Sequence, residues 1–503
     1  MMRVAWWLFS IILVLLPGAS RAADFPRPAS IEPQIRFWVS IFTEYSRDQV
    51  VVHDAVDLDK VYRVLDFRPD RARGVHDIEL DKMRSHETSR VLREIQGILG
   101  RLGRTGAHDP SLTPEERRIA AFFGPKATTS DFRRAADQVR TQRGIRERFA
   151  EGMQRARRML PVMEDIFREE GVPVELTRLP LIESSFDVRA YSKVGAAGMW
   201  QFMPSTGRRY LTVGTLVDER LDPFTSTRAA ARFLRENYEM LGAWPLAITA
   251  YNHGPYGMQK AVRQLGTKDI ATIIRRYDGR AFGFSSRNFY PEFLAALDVD
   301  REAEKYFGPI SVAATAPTTT IRLAHSVGIG TAAKLARTST ATLIEHNPAL
   351  LSPVTSARRD IPSGYRLRVP ESGADGFEQR LVAHAAERAV TRVASGPTRR
   401  DDGATAYTVR SGDNLTVIAK RYGVGVRELQ AANGMGRSSL LRAGQVVKIP
   451  GTAMRSHRVR NGQTLSHIAR HYGVSVSSLQ RLNGMGSSSL LRAGQVIRIP
   501  GSS

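Results

Sequence analysis

The stretch LPLIESSFDVRAYSKVGAAGMWQFMP, Leu179 to Pro204, sets a single glutamate, Glu183, among Leu181, Ile182 and Phe186. Glycines and a Trp200-Gln201 pair follow it. Burying a carboxyl against apolar groups penalises its charged form and raises its pKa. That is a cost unless a protonated acid is wanted, and general acid catalysis wants one. The bland alternative is a helix-end glutamate with its head in water.

The flanks read as helices. Upstream, RERFAEGMQRARRMLPVMEDIFREEG sets Phe149, Met153, Met159, Met163 and Ile166 on one approximate apolar face, with a kink expected at Pro161 and a stop at Gly171. Pro173 and Glu175 open the next helix, near whose end Glu183 falls. Downstream, the segments 218–237, 243–258 and 285–299 read as helices separated by Gly-rich and polar loops. Loops carrying Gln201, Tyr251 and Asn252 converge on one cleft in this reading, offering amide, phenol and carboxyl groups to a sugar. The N-terminal region 23–145 shows a strand-like VVVHDAVDL followed by mostly helical text, with a helix start at Thr113-Pro114.

A repeat dominates the C-terminal end. YTVRSGDNLTVIAKRYGVGVRELQAANGMGRSSLLRAGQVVKIP from Tyr407 recurs from His457 at an offset of 50 residues. Each copy reads strand, helix, helix, strand. Leu415, Ile418, Ala419 and Tyr422 have helical spacing, Gly423 stops that helix, and Pro450 ends the closing strand. Residues 342–370 echo the second half of the unit, with Asn347, Gly364 and a Val-Pro ending, so a degenerate copy is expected over 318–371. Residues 372–404 read as a linker.

Two resemblances follow. The repeats, 405–451 and 455–501, resemble LysM modules, which implies binding to N-acetylglucosamine-containing glycans through the turns Gly412, Asp413, Asn414, Leu415 and Gly462, Gln463, Thr464, Leu465. Glu183-Ser184, Gly198-Met199-Trp200-Gln201 and Ala250-Tyr251-Asn252 resemble the family 1 lytic transglycosylases, whose fold is similar to goose-type lysozyme. Together with the tandem LysM copies, the chain resembles the D group of membrane-bound lytic murein transglycosylases.

The implied fold is multidomain and mainly α: a lysozyme-like α-helical catalytic domain over 146–305 plus small βααβ LysM modules. The implied reaction breaks the β-1,4 bond between N-acetylmuramic acid and N-acetylglucosamine and closes a 1,6-anhydro ring, without cofactor or metal. By the same resemblance Glu183 is the catalytic acid and then base, while Ser192, Gln201, Tyr251, Asn252 and Tyr290 hold the substrate.

Two departures bear on the chemistry. Asp187 stands where relatives commonly have Asn; four residues along a helix would set it on the face of Glu183, as a base for hydrolysis or as a mere helix-end acid. The family's tyrosine aligns with Phe289, next to Tyr290. A muramidase hydrolysing the same bond and a non-catalytic wall-binding scaffold are the alternatives.

Composition fits an envelope location. Arg3, the apolar run Val4–Leu16 and small residues up to Ala22 have the layout of a secretory signal over 1–22. The run is short for a membrane span. Cysteine is absent, which excludes disulfides, thiolate metal sites and a lipid-modified N-terminal cysteine; attachment to the envelope would need an uncleaved signal or the LysM grip on glycan. The net charge of +23 calls for a polyanionic partner. Nucleic acid fits the number but not the export signal, whereas anionic peptidoglycan and lipids fit both.

Overall fold

The computed structural model describes residues 25–310, 317–394 and 398–399, together with 405–499 apart from 410–411, 423, 437, 443, 450–454, 473–474 and 487. The expected signal over 1–22 and the helix stop at Gly423 lie outside the described residues. The chain forms two compact units, Met1–Glu378 and Gln379–Ser503. It is mainly α with small antiparallel sheets.

The main core of the first unit gathers around the helices Glu32–Thr43, Arg146–Glu169, Pro223–Leu241, Trp244–His253 and Phe284–Arg301. Ile35, Trp38 and Phe42, spaced three and four apart, face Phe149 and Met153 in this core, and the Phe42 and Phe149 rings stack at 4.4 Å. The boundary expected at 145/146 is therefore not a core boundary: the Glu32–Thr43 helix is buried with the expected catalytic helices. Trp38 Nε1 also donates to Asn288 Oδ1 at 3.3 Å.

A second, smaller core covers a three-stranded antiparallel sheet. Its central strand Gln49–Asp54 is buried throughout and lies between Val61–Asp66 and Val139–Arg143. The strand expected within VVVHDAVDL is this central one; Val139–Arg143 carries no alternation that marked it in advance. Val91, Ile95, Leu99 and Leu102 of the long helix Asp77–Thr105 fall on one face and fill this core.

The helix Arg146–Glu169 continues through Pro161, which is exposed. Gly171 follows it with φ +69°, the left-handed stop expected. The helix expected over 243–258 breaks at Gly254, φ +92°, into Trp244–His253 and Pro255–Leu265.

Residues 318–370 form a complete strand–helix–helix–strand unit: Thr318–Arg322 pairs antiparallel with Arg366–Pro370 around the helices Ile329–Leu335 and Thr340–His346. Asn347 Nδ2 donates to Leu343 O and Arg368 O, and its Oδ1 accepts from Arg368 N. Asn433 makes the same three bonds with Leu429 and Lys448, and Asn483 with Leu479 and Arg498. The 318–370 unit is joined to the helical core. Asp218 N donates to Ala349 O, Leu351 N donates to Leu216 O, and Arg368 pairs with Asp222 at 3.0 Å.

In the second unit, Tyr407, Leu415, Ile418, Leu429 and Val447 fill one small core, and Leu465, Ile468, Leu479 and Ile497 fill another. The linker expected over 372–404 is corrected: Phe377–Ala394 is an 18-residue helix with Phe377 and Leu381 buried, and Thr398–Arg399 adds a strand to Thr405–Thr408. Phe377 and Leu381 are four apart on a helix, a signal masked by the Gly, Pro and charged residues that follow.

Candidate active site

Glu183 is the last residue of the short helix Leu179–Glu183, entered through the 3₁₀ turn Val174–Arg178. The chain then turns sharply, because Ser185 and Phe186 both adopt left-handed backbone, φ +56° and +58°. Non-glycine residues rarely do so, and each costs about 1–3 kcal/mol unless its surroundings enforce it. Here they do. Phe186 is wholly buried, and Phe186 N and Ser184 N both donate to Pro180 O. Arg148 donates to Ser184 O at 3.3 Å, and Arg155 to Ser185 O at 3.0 Å. Gly152 completes the fit: a Cβ there would stand 2.9 Å from Ser185 Cβ.

This turn settles Asp187. It is not one helical turn beyond Glu183, because the helix has ended and reversed. Asp187 is exposed, and its carboxylate accepts from Arg189 N at 2.9 Å. The structure thus places it as an exposed acid on the loop after the turn.

The loop after the turn is held from several sides. Ser192 N donates to Ala196 O and Ser192 Oγ accepts from Ala196 N, both at 2.9 Å, so Ser192 shapes the hairpin. Arg220, buried and paired with Asp218 at 2.7 Å, donates to Gly195 O and Phe202 O. Gly198 has φ +76° and lies so close to Arg220 that a Cβ would meet Arg220 O at 1.8 Å. Ser184 Oγ donates to Met199 O at 2.9 Å, which ties the glutamate's turn to this loop. The Arg220–Asp218 pair escaped the sequence reading, since nothing in DERLDPF announces which carbonyls the guanidinium reaches.

Trp200 is an anchor, not a cleft residue. It is wholly buried, stacks on Phe167 at 5.7 Å and donates Nε1 to Thr227 Oγ1 at 3.0 Å. With Trp200 fixed, Gln201 is held at φ +48°, and its Nε2 donates to Gly198 O at 2.7 Å.

Tyr251, on the Trp244–His253 helix, donates its hydroxyl to Trp200 O at 2.8 Å. Burial first and the nearby Glu183 carboxyl second push its phenol well up, so it stays neutral. Asn252 is exposed, and its Oδ1 accepts from Ser286 Oγ at 3.1 Å.

Tyr290 requires correction. It is wholly buried, and its hydroxyl donates to Pro26 O at 2.7 Å, so it joins the N-terminal segment to the core and lines no cleft. Phe289, the position aligned with the family's tyrosine, is buried as well. The acid that this helix does supply is Glu292, whose carboxyl interacts with that of Glu183. It was not singled out from the sequence, since nothing local separates it from a surface glutamate.

Burial pushes the Glu183 carboxyl up to about 8. Among the described residues no hydrogen bond or ion pair joins it to another side chain. Of the residues expected at the cleft, the structure therefore brings together Glu183 and Tyr251, with Gln201 on the connecting loop.

In the repeats, Leu415 and Leu465 are core residues at 1% exposure and are corrected from glycan contacts to packing. Asn414 Oδ1 and Thr464 Oγ1 cap the helices that follow. Asp413 accepts from Tyr407, and Gln463 bonds His457, each fixing its turn. Gly412 and Gly462, φ +88° and +81°, are exposed at the turn tips.

A family model described as "Transglycosylase SLT domain" matches residues 164–274, and one described as "LysM domain" matches 407–450 and 457–500. Over 292 residues the chain is 30% identical to the membrane-bound lytic murein transglycosylase D of Escherichia coli K12, covering 56% of this chain and 61% of that protein. It is 34% identical over 109 residues to a putative tributyltin chloride resistance protein of an Alteromonas species, covering 21% of this chain and 53% of that one. A 46-residue segment is 50% identical to the probable peptidoglycan endopeptidase LytE of Bacillus subtilis, covering 9% of this chain and 14% of that protein.

Proposed function

We propose, for a chain that carries a transglycosylase SLT domain and two LysM domains, that it is an exported peptidoglycan lytic transglycosylase acting in the cell envelope. The observation that carries this reading is Glu183 in its apolar collar at the end of a helix. Among the described residues no cation pairs with it, and burial pushes its carboxyl up to about 8. Such a carboxyl is the acid form at neutral pH and can protonate the glycosidic oxygen between N-acetylmuramic acid and N-acetylglucosamine.

As that C1–O bond breaks, its electron pair stays with the leaving oxygen, which takes the proton. The Glu183 carboxylate then removes the proton of the muramic C6 hydroxyl, whose oxygen bonds C1 and closes the 1,6-anhydro ring. One carboxyl serves both steps, so the second carboxylate of most glycosidases is not required. Tyr251 braces the Trp200 carbonyl beside Glu183, and Gln201 and Asn252 present amides to the sugar. Ser192 acts by shaping the hairpin. The two repeats, with exposed turns at Gly412, Asn414, Gly462 and Thr464, grip the glycan. The 318–370 unit is a third LysM-like module, fixed to the catalytic core through Arg368 and Asp222. Its strand pairing and its Asn347 bonds support that reading. Purified peptidoglycan incubated with the protein should release soluble muropeptides; no release over hours would sink the proposal.

A division of labour follows. Removing residues 402–503 should weaken co-sedimentation with insoluble peptidoglycan by roughly tenfold or more, because tandem weak sites gain from effective concentration. Cleavage of short soluble glycans should continue at nearly the full rate. Unchanged sedimentation would refute the assignment of the grip to the repeats.

A further inference from the structure

Resting on the transglycosylase reading, which puts the loop 195–202 beside the catalytic acid, we propose that the 318–370 unit is a brace for that loop and not a further grip on glycan, with Arg368 as its positioning residue. The unit aligns closely with the two repeats. Arg368 N donates to Asn347 Oδ1 as Lys448 N does to Asn433 and Arg498 N to Asn483. Gly364 takes φ +84°, and Gly444 and Gly494 take +86°. The amide of each donates at 2.8 Å to a carbonyl just past the first strand, at Leu323, Val409 and Val459. Against so close a correspondence, the differences show what has changed in use.

The turn after the first strand has one length in all three copies, 324–328, 410–414 and 460–464. Where the repeats have Asp413 and Gln463 in its middle, the 318–370 unit has Val327, wholly buried. Val327 pairs with the equally buried Ile361: Ile361 N donates to Val327 O at 2.8 Å and Val327 N to Ile361 O at 3.2 Å. A polar turn has become packing. Ile361 belongs to the loop that leads back to the closing strand. That loop, 348–363, is six residues longer than its counterpart 434–443. Its first part lies on the helical core, where residues 349–351 run antiparallel to 216–218. Asp218 N donates to Ala349 O at 2.9 Å and Leu351 N to Leu216 O at 3.0 Å.

Arg368 is turned onto the same segment. Its counterparts Lys448 and Arg498 are exposed, whereas Arg368 Nη2 donates to both oxygens of Asp222, at 3.0 and 3.2 Å, and its guanidinium lies 4.9 Å from the centre of the Phe224 ring. Asp222 also caps the helix Pro223–Leu241 through Phe224 N and Thr225 N. Arg220 sits between the two anchors, Asp218 and Asp222. Its guanidinium, paired with Asp218, donates to Gly195 O at 2.8 Å and to Phe202 O at 2.9 Å, the two ends of the loop. Ser184 Oγ, next to Glu183, holds Met199 O in the middle of the same loop. A contiguous run of bonds therefore leads from 349–351 and Arg368, through 216–222, to the backbone beside the acid. Support of this kind is what keeps a catalytic loop in one geometry.

The test uses the full chain and two readouts. In hydrogen–deuterium exchange, Arg368→Ala should let the amides of Ala196, Ala197, Gly198 and Gln201 exchange about tenfold faster, the effect of losing one charged hydrogen bond. The helices Arg146–Glu169 and Trp244–His253 should keep their wild-type rates. On soluble glycan, kcat should fall about tenfold while KM stays within about threefold. Arg368→Lys, which keeps a charge facing Asp222, should fall between. Leu351→Pro is a second variant that leaves Arg368 in place: Leu351 has φ −84°, near the value proline fixes, and only its bond to Leu216 O is lost. It should show the same confined rise in exchange. Unchanged exchange over 195–202, or a rise spread evenly over the helical core, would overturn the brace. A raised KM at unchanged kcat would mean that the unit grips glycan instead. Wild-type protein that releases nothing from peptidoglycan would remove the transglycosylase reading, and the exchange rates would still decide the brace.

Discussion

Glu183→Gln is expected to lose roughly three orders of magnitude in cleavage rate, the range in which a positioned general acid contributes. Its fold and its sedimentation with peptidoglycan should remain. The amide has the shape of the acid but no proton to give, and it cannot later accept one from the C6 hydroxyl. The same substitution should reveal the cost of burying the acid. With the folded group held up to about 8 and its ordinary value near 4.5, the folded state keeps a proton that the unfolded chain gives up. The wild type therefore loses stability as pH rises from about 5 to 8, while the glutamine variant does not. At pH 8 the variant should be the more stable, by roughly 1–3 kcal/mol, and at pH 4.5 the gap should close. Denaturant melts at the two pH values measure this, and a gap independent of pH would contradict a protonated, buried Glu183.

Gly198→Ala is expected to be the most damaging change in the loop beside the acid. Two effects add. The position has φ +76°, where alanine is strained by about 1–2 kcal/mol. The new Cβ would also stand 1.8 Å from Arg220 O, on backbone that cannot swing away. Arg220 is held by Asp218 and by the carbonyls of Gly195 and Phe202, so relief must come from displacing Met199, Trp200 and Gln201. A destabilisation of about 3 kcal/mol or more, with activity falling alongside, is the expected outcome. Gly195→Ala isolates the first effect. Its φ is +92°, but the nearest atom, Pro204 Cγ, is 4.0 Å away, so its cost should stay near that of backbone strain alone. Equal losses at the two glycines in thermal unfolding would show that the contact with Arg220 does not matter.

These residues also show what the sequence could and could not convey. Glu183 was legible because its apolar neighbours Leu181, Ile182 and Phe186 are adjacent in the chain, and the repeats because 50-residue self-similarity is a property of the text alone. The main helices followed from local spacing. Asp187 stays open between base and helix-end acid in the sequence, because nothing local says that Ser185 and Phe186 turn left-handed; that conformation is enforced by Arg148, Arg155 and Gly152 from another helix. Tyr290 as a substrate residue and the silence of the sequence on Glu292 have a related cause. Both lie on Phe284–Arg301, but which of them faces Pro26 and which faces Glu183 depends on the helix's rotation against its neighbours. The residues that surround a site from a distance are set by packing, and packing is where a single sequence is least explicit.

Mass spectrometry of the soluble fragments released from purified peptidoglycan tests the central claim most directly, because the acceptor of the muramic C1 is written in the product mass. With Glu183 serving as acid and then base toward the C6 hydroxyl, the released ends should be 1,6-anhydro-N-acetylmuramic acid. Reducing ends heavier by one water would mean that a water molecule is the acceptor, and would contradict the transglycosylase mechanism in favour of a muramidase.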